Sequence, residues 1–180
     1  MQSKQWMHTH SPNKPKKFKQ TLSNKKMVAS VFWDRKGILL TEFMGPGTTT
    51  TSEVYCETLN KLRRSIQNKW RGMLTKGIVL LHDNAWLHTA ARTNALIRLF
   101  NWEIFVHPPY SPDLAPSDYH LFTKVKVWLD TQRFHTYEEL MDRVNNWLHN
   151  LAAPFFDAGP QKLVSWYDKC LNVDGNYVKK

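Results

Sequence analysis

The sequence predicts one α/β domain, a mixed sheet with helices on both faces. Three observations carry this. An apolar hairpin opens the patterned part of the chain, strand-like and helix-like segments alternate after it, and Ile78-Val79-Leu80-Leu81 is continuously apolar, as a strand covered on both faces must be. At 180 residues, 42% hydrophobic and 22% charged, the chain has the length and composition of one globular core and excludes a disordered polymer.

Met27 to Trp33 and Gly37 to Phe43 read as two strands, joined by the turn signal Asp34-Arg35-Lys36-Gly37. Thr48 to Thr51 offers a short third strand. A helix capped by Thr51 or Ser52 then runs to about Lys69, with Val54, Tyr55, Leu59, Leu62 and Ile66 at helical spacing and Lys61, Arg63, Arg64 and Lys69 on the other face. The apolar strand from Ile78 ends at His82-Asp83-Asn84. A helix from about His88 to Phe100 and a strand from Trp102 to Val106 follow. Pro108 to Pro116 cannot be helix. Ser117 opens a helix to about Asp130, and Thr136-Tyr-Glu-Glu139 is a capping box that starts another, to about Leu151. A last helix is expected from about Pro160, at its first turn, to Leu171.

Charge divides the chain. Residues 1–26 hold seven lysines (Lys4, Lys14, Lys16, Lys17, Lys19, Lys25 and Lys26) and no acid, and they lack an apolar period, so they read as a basic arm before a domain at 27–180. Lys+Arg number 25 against 15 Asp+Glu, a net charge of +10 that favours a polyanionic partner. Two cysteines, Cys56 and Cys170, form no CxxC pair, which argues against a disulfide scaffold and a zinc finger and suits a reducing compartment. No apolar run is long enough to span a bilayer. A soluble, intracellular, basic domain is expected.

Three acids stand at strand and helix ends. Asp34 ends the first strand, Asp83 follows the four aliphatics, and Asp118 lies in the first turn of the helix after the prolines. With Leu121, Phe122, Val125 and Leu129 as that helix's stripe, Asp118 is expected to project from the buried side, toward the sheet. Acids converging there would repel unless a cation neutralised them. Oxygen-only ligands select Mg²⁺ or Mn²⁺ over zinc. Two such ions can activate water on one side of a phosphodiester and stabilise the leaving oxygen on the other. Each acid also has a local reading: Asp34 as the first residue of a hairpin turn, Asp83 as an N-cap, Asp118 as a favourable charge at a helix N-terminus. Asp113 rivals Asp118 by position, but no helical stripe aims it.

Val31-Phe-Trp-Asp-Arg-Lys-Gly37, His82-Asp-Asn-Ala85 with His88-Thr-Ala, and His107-Pro-Pro-Tyr-Ser-Pro-Asp-Leu-Ala-Pro-Ser-Asp-Tyr-His-Leu-Phe122 resemble the catalytic domain of mariner transposases, in the Tc1/mariner group. The resemblance extends from about Trp6 to the end, including Tyr167-Asp-Lys-Cys-Leu-Asn172. Mariner enzymes carry three aspartates with 34 residues between the second and third, and 34 residues separate Asp83 from Asp118 here. The resemblance implies an RNase H-like, retroviral integrase-type fold. It implies Asp34, Asp83 and Asp118 as catalytic metal ligands for two Mg²⁺ ions, with Mn²⁺ as substitute. It implies cut-and-paste transposition, in which water cleaves the transposon end and the freed 3′-hydroxyl attacks target DNA. The implied partners are double-stranded DNA and a second copy of the chain, in the nucleus. Lys14, Lys16, Lys17, Lys19, Arg63 and Arg64 are the expected phosphate contacts. His82 and Asn84 are candidates to support Asp83, while His88, His107 and His120 are expected to cap, bond or face DNA. Trp33, Trp102, Trp128 and Trp147 are expected in packing.

The sequence also departs from the family. Its paired helix-turn-helix modules have no counterpart in these 180 residues, so a truncated copy without sequence-specific end binding is expected. Trp86-Leu87 replaces the usual Arg-Pro beside Asp83. A catalytically inactive or domesticated DNA-binding module is the alternative. Ribonuclease H would share fold and acids, but Tyr110-Ser-Pro-Asp-Leu114 argues against it.

Overall fold

The computed structural model describes residues 27–45, 48–70, 72–105, 107, 108 and 111–172. The basic arm, including Lys14, Lys16, Lys17 and Lys19, lies outside them, as does Tyr110.

Strands β1 (Val28–Asp34) and β2 (Gly37–Met44) form the expected antiparallel hairpin, closing at Asp34 opposite Gly37. The register shifts between Phe32 and Trp33, so Leu39 is the extra residue on β2. Its carbonyl accepts a 2.7 Å hydrogen bond from Ser65 in helix α1 (Ser52–Lys69). The faces of β1 alternate with period two, and the bulge at Leu39 puts Ile38 and Leu40 of β2 on opposite faces. Phe32 and Leu40 pack against a core of Tyr55, Leu59, Leu62 and Ile66 from α1. Val31, Trp33 and Ile38 face a second core containing Leu121, Val144, Leu148 and Phe156. Helices therefore cover both faces, as expected.

Thr48 to Thr51 forms no strand. Thr51 instead caps α1, its hydroxyl accepting from the Val54 N–H at 3.3 Å. A four-residue helix, α2 (Met73–Lys76), precedes β3 (Val79–Leu81), which pairs in parallel with β4 (Glu103–Phe105). Antiparallel and parallel pairing are both present, and among the described residues the four strands form two ladders. A cleft lies between β1 and β3.

The helix expected from His88 to Phe100 is divided into α3 (Trp86–Thr89) and α4 (Ala91–Leu99), because Ala90 is extended at ψ 142°. Side chains satisfy the carbonyls freed there: Thr93 donates to Leu87 O at 2.7 Å and Asn94 to Thr89 O at 3.0 Å. The segment from Ser117 starts as a π-helical turn (Ser117–Phe122) before α5 (Thr123–Asp130). Helix α6 (Tyr137–Asn150) carries the capping box, with Thr136 accepting from Glu139 N at 3.1 Å. The Glu139 carboxylate returns to His135 N, one residue before the cap.

The last helix, α7 (Ala153–Asn172), begins seven residues before the expected start and carries Pro160 inside it. Proline removes one helical donor. Burial of Phe156, 2% exposed, against Ile38, Leu121 and Leu148 offsets that loss and draws the preceding turns into the helix. The four tryptophans assigned to packing behave so: Trp102 is in the first core, and Trp128 stacks on Trp147 at 5.2 Å.

Candidate active site

Asp34 fulfils its local reading and leaves one atom over. Its Oδ1 accepts from Lys36 N at 2.8 Å and Gly37 N at 3.0 Å, closing the hairpin turn. Gly37 sits at φ +140°, which a side chain would strain. Its Oδ2 is buried without a partner. A buried carboxylate oxygen with no donor is costly, and a cation is one way to satisfy it. The neighbouring Trp33 donates from Nε1 to Ser117 Oγ at 3.1 Å, tying the end of β1 to the turn that carries Asp118. Arg35 pairs with Asp157 and holds the hairpin tip to α7.

Asp83 leaves β3 into a loop, and its Oδ1 accepts from Ala85 N at 2.9 Å, a local turn before α3. His88, one turn along, reaches back to the same oxygen through Nδ1 at 2.6 Å. Its ring stacks on His82 at 4.8 Å and meets Tyr55 at 4.4 Å. Tyr55 and His82 share a 3.0 Å hydrogen bond. Partial burial pushes the Asp83 carboxyl up, but the Ala85 N–H and His88 outweigh it and leave the group below its ordinary value. His82 is pushed down from 6.5 to about 4 by burial and then by His88. Asn84 donates to His107 O at 2.6 Å, joining the loops after β3 and β4.

Asp118 departs from expectation. The π turn replaces helical periodicity, so Phe122 is 40% exposed instead of core, and Asp118 is exposed at the cleft instead of pointing into the sheet. The turn is anchored by its neighbours: Tyr119 donates to Gly159 O at 2.8 Å and His120 bonds Phe155 O at 2.7 Å. His120, 9% exposed and stacked on Phe155, is a core histidine. Burial raises the Asp118 carboxyl, the charge of Asp83 raises it further, and His107 opposes both. Asp83 and Asp118 thus feel each other.

All three acids line one cleft of ≈ 560 Å³, with Tyr55, His88, His107 and Ser117 on its walls. Among the described residues no three His, Cys, Asp or Glu side chains stand close enough to form a ready-made metal group. The donor set nevertheless fits a hard cation: oxygen ligands, an orphaned Asp34 Oδ2, and two acids whose charges repel. Sequence reasoning left His88 as a generic capping or bonding residue. The signal was its position five residues after Asp83, which a short helical turn converts into contact. Of the expected DNA contacts, Arg63 stacks over Phe100 at 4.9 Å and Arg64 is exposed on α1. Asp113 sits in a short 3₁₀ turn, Pro112–Leu114.

Comparison with known proteins gives a consistent picture. Residues 1–76 match the family described as Transposase (partial DDE domain). The chain is 36% identical over 157 residues to the Mariner Mos1 transposase of Drosophila mauritiana, covering 86% of this chain and 46% of that protein. It is 32% identical over 177 residues to Histone-lysine N-methyltransferase SETMAR of Homo sapiens, covering 97% of this chain and 26% of that protein. The chain thus spans less than half the length of either relative. The catalytic domain of Mos1 mariner transposase superposes with a TM-score of 0.80 at 37% identity, over 87% of this chain and 78% of that one. A Mos1 catalytic-domain structure with Mn and Raltegravir gives 0.81 at 36%, over 86% and 78%. A pre-cleavage Mos1 transpososome gives 0.81 at 32%, over 99% of this chain and 53% of that one.

Proposed function

The chain belongs to the mariner transposases, as a homologue of their RNase H-like catalytic domain, and from that membership we propose that it performs metal-dependent phosphodiester hydrolysis and strand transfer on DNA. The observation that supports this is the shared cleft, whose lining includes Asp34, Asp83 and Asp118, with Asp34 Oδ2 unpartnered. These three aspartates would hold the cations, Mg²⁺ or Mn²⁺, in a two-ion arrangement. Ions held there would supply activation of a water nucleophile near neutral pH and neutralisation of the leaving oxygen. The chain's own residues prepare the site. The hairpin turn fixes Asp34 through Oδ1 and leaves Oδ2 without a protein partner. His88 orients Asp83, as outer partners of metal ligands commonly do. The Trp33–Ser117 bond sets the turn of Asp118 against β1.

Mos1 structures with Mn and Mg, and Mos1 paired-end complexes, support divalent metal and double-stranded DNA as ligand and substrate, and a second copy as partner. Lys14, Lys16, Lys17, Lys19 and Arg64 are the proposed phosphate contacts. Arg63 can contribute beside Phe100. A nuclear site of action follows from the substrate. The occupied Oδ1 of Asp83 favours the second reading, a DNA-binding module without catalysis.

Plasmid nicking by the purified chain decides between them. With Mn²⁺, slow and sequence-indifferent nicking is expected. Asp34→Ala and Asp83→Ala should lower it at least about a hundredfold, since metal stabilisation of the transition state is worth several kcal/mol. Mn²⁺ should also raise the melting temperature of the wild type but not of Asp118→Ala. Nicking that persists in Asp34→Ala sinks the catalytic reading.

A further inference from the structure

We propose that the cleft between β1 and β3 seats one further β-strand, supplied by mariner catalytic-domain polypeptide that this chain does not match. Among the described residues β1 pairs with β2 alone and β3 with β4 alone, so each keeps one free edge. Both free edges face the same space. Residues 29–34 on the β1 side and 77–83 on the β3 side line the cleft without a break in either run. A strand that turns one face to a cavity contributes every second residue. Consecutive residues mark its edge, where the backbone donors and acceptors stand.

Helices bound the space as they bound the sheet. Tyr55 and Ile66 of α1 line it on the face of the first core, Pro160 and Leu163 of α7 on the face of the second. Tyr55 sets the width, because it reaches both edges. Its ring lies 6.4 Å from the Phe32 ring of β1, and its hydroxyl bonds His82, next after β3, at 3.0 Å. One side chain that touches both edges leaves room for a single strand, since neighbouring strands stand about 4.8 Å apart. Val79 and Phe105 line the space yet are 61% and 37% exposed, apolar surface that such a strand would cover.

Chemistry selects the occupant. Two facing edges present rows of backbone N–H and C=O groups, and another backbone in extended form satisfies both rows at once. A strand covered by helices on both faces is apolar along its length, so the segment is an apolar one. The aspartates stand at strand ends, Asp34 closing β1 and Asp83 beyond β3, so a strand laid along the edges does not replace them. The relatives bound its source. This chain matches 78% of the Mos1 catalytic-domain chain, which leaves roughly a fifth of that domain to supply the segment.

The inference does not rest on the catalytic reading, because binding is measured without divalent metal. Labelled peptides of about ten residues, tiled across the unmatched part of the Mos1 catalytic domain, would be titrated with the purified chain in fluorescence anisotropy. One peptide, apolar along its length, should bind and raise the melting temperature by several degrees. N-methylation of alternate amides in that peptide should weaken binding at least about tenfold, since main-chain hydrogen bonds carry strand addition. Val79→Lys, at an exposed position in the cleft, should weaken it similarly, and Ile104→Lys, which does not line the cleft, should not. Failure of every peptide to bind overturns the proposal. So does equal binding of the N-methylated form, which would make the cleft a side-chain pocket. A Val79→Lys effect confined to self-association in sedimentation also overturns it and makes a second copy the occupant. If peptide binding stands while nicking persists in Asp34→Ala, the strand seat survives and the catalytic reading does not.

Discussion

His82 is a neutral imidazole at ordinary pH, held so by burial and by His88. Tyr55, whose phenol is pushed up by burial, stays protonated and can donate to His82 Nδ1 at 3.0 Å. The unfolded chain protonates this histidine near 6.5 and the folded one near 4, so the unfolded state binds more protons between those values. The stability that this group contributes is fully present above 6.5 and is lost as pH falls toward 4. Asp118 has the opposite sign, because its raised carboxyl takes up a proton before its unfolded counterpart does. Melting temperatures of the wild type and His82→Asn, measured across that window, separate the two. The wild type should lose several degrees more than the variant on acidification, since Asp118 titrates in both. Parallel pH profiles would show that His82 is not held neutral. Its proximity to Asp83 was legible in the sequence; its neutrality was not, because Tyr55 and His88 reach it from different helices.

At the scale of elements, α7 and β1 meet through the absence of a side chain. A Cβ on Gly159 would stand 2.7 Å from Trp33 Cη2 and 3.2 Å from His120 Cδ2. Neither ring can yield easily: Trp33 is bonded to Ser117 and His120 to the Phe155 carbonyl. Gly159→Ala gains about 1 kcal/mol of helix propensity but forces an overpacked contact costing about 1–3 kcal/mol. A net loss of roughly 1 kcal/mol is expected in urea unfolding, with weaker Mn²⁺ stabilisation because Trp33 carries Asp34 at the strand end. A stabilised variant would show that the contact is loose. Local pattern revealed the hairpin, α1 and α6, whose turns and caps are made by residues within one helical turn. It misplaced the start of α7, where the burial of Phe156 outweighs the proline.

The whole molecule is a basic body with an acidic cleft. DNA binding without divalent metal should therefore be steeply salt-dependent and indifferent to sequence. If the seven lysines of residues 1–26 all touch phosphate, deleting that arm should flatten the slope of log K against log salt by up to about six. Titrations over a range of NaCl with the full and shortened chains measure this directly, and an unchanged slope would place the contacts elsewhere. Among the described residues no helix is long and apolar enough to cross a membrane.

Motif and period by themselves pointed to the family, singled out three candidate aspartates, and revealed the hairpin and the capped helices, because each is written in residues close together in the chain. Tertiary structure alone decided what those aspartates touch. Asp34 spends Oδ1 on its own turn and leaves Oδ2 orphaned, Asp83 is held by His88, and Asp118 is rotated to the cleft by a π turn. It also decided how the described strands pair, β1 with β2 and β3 with β4, and that a cleft lies between β1 and β3. The reason is physical: sequence spacing sets which face a residue occupies, but the direction of its side chain and its partners depend on elements packed from far along the chain.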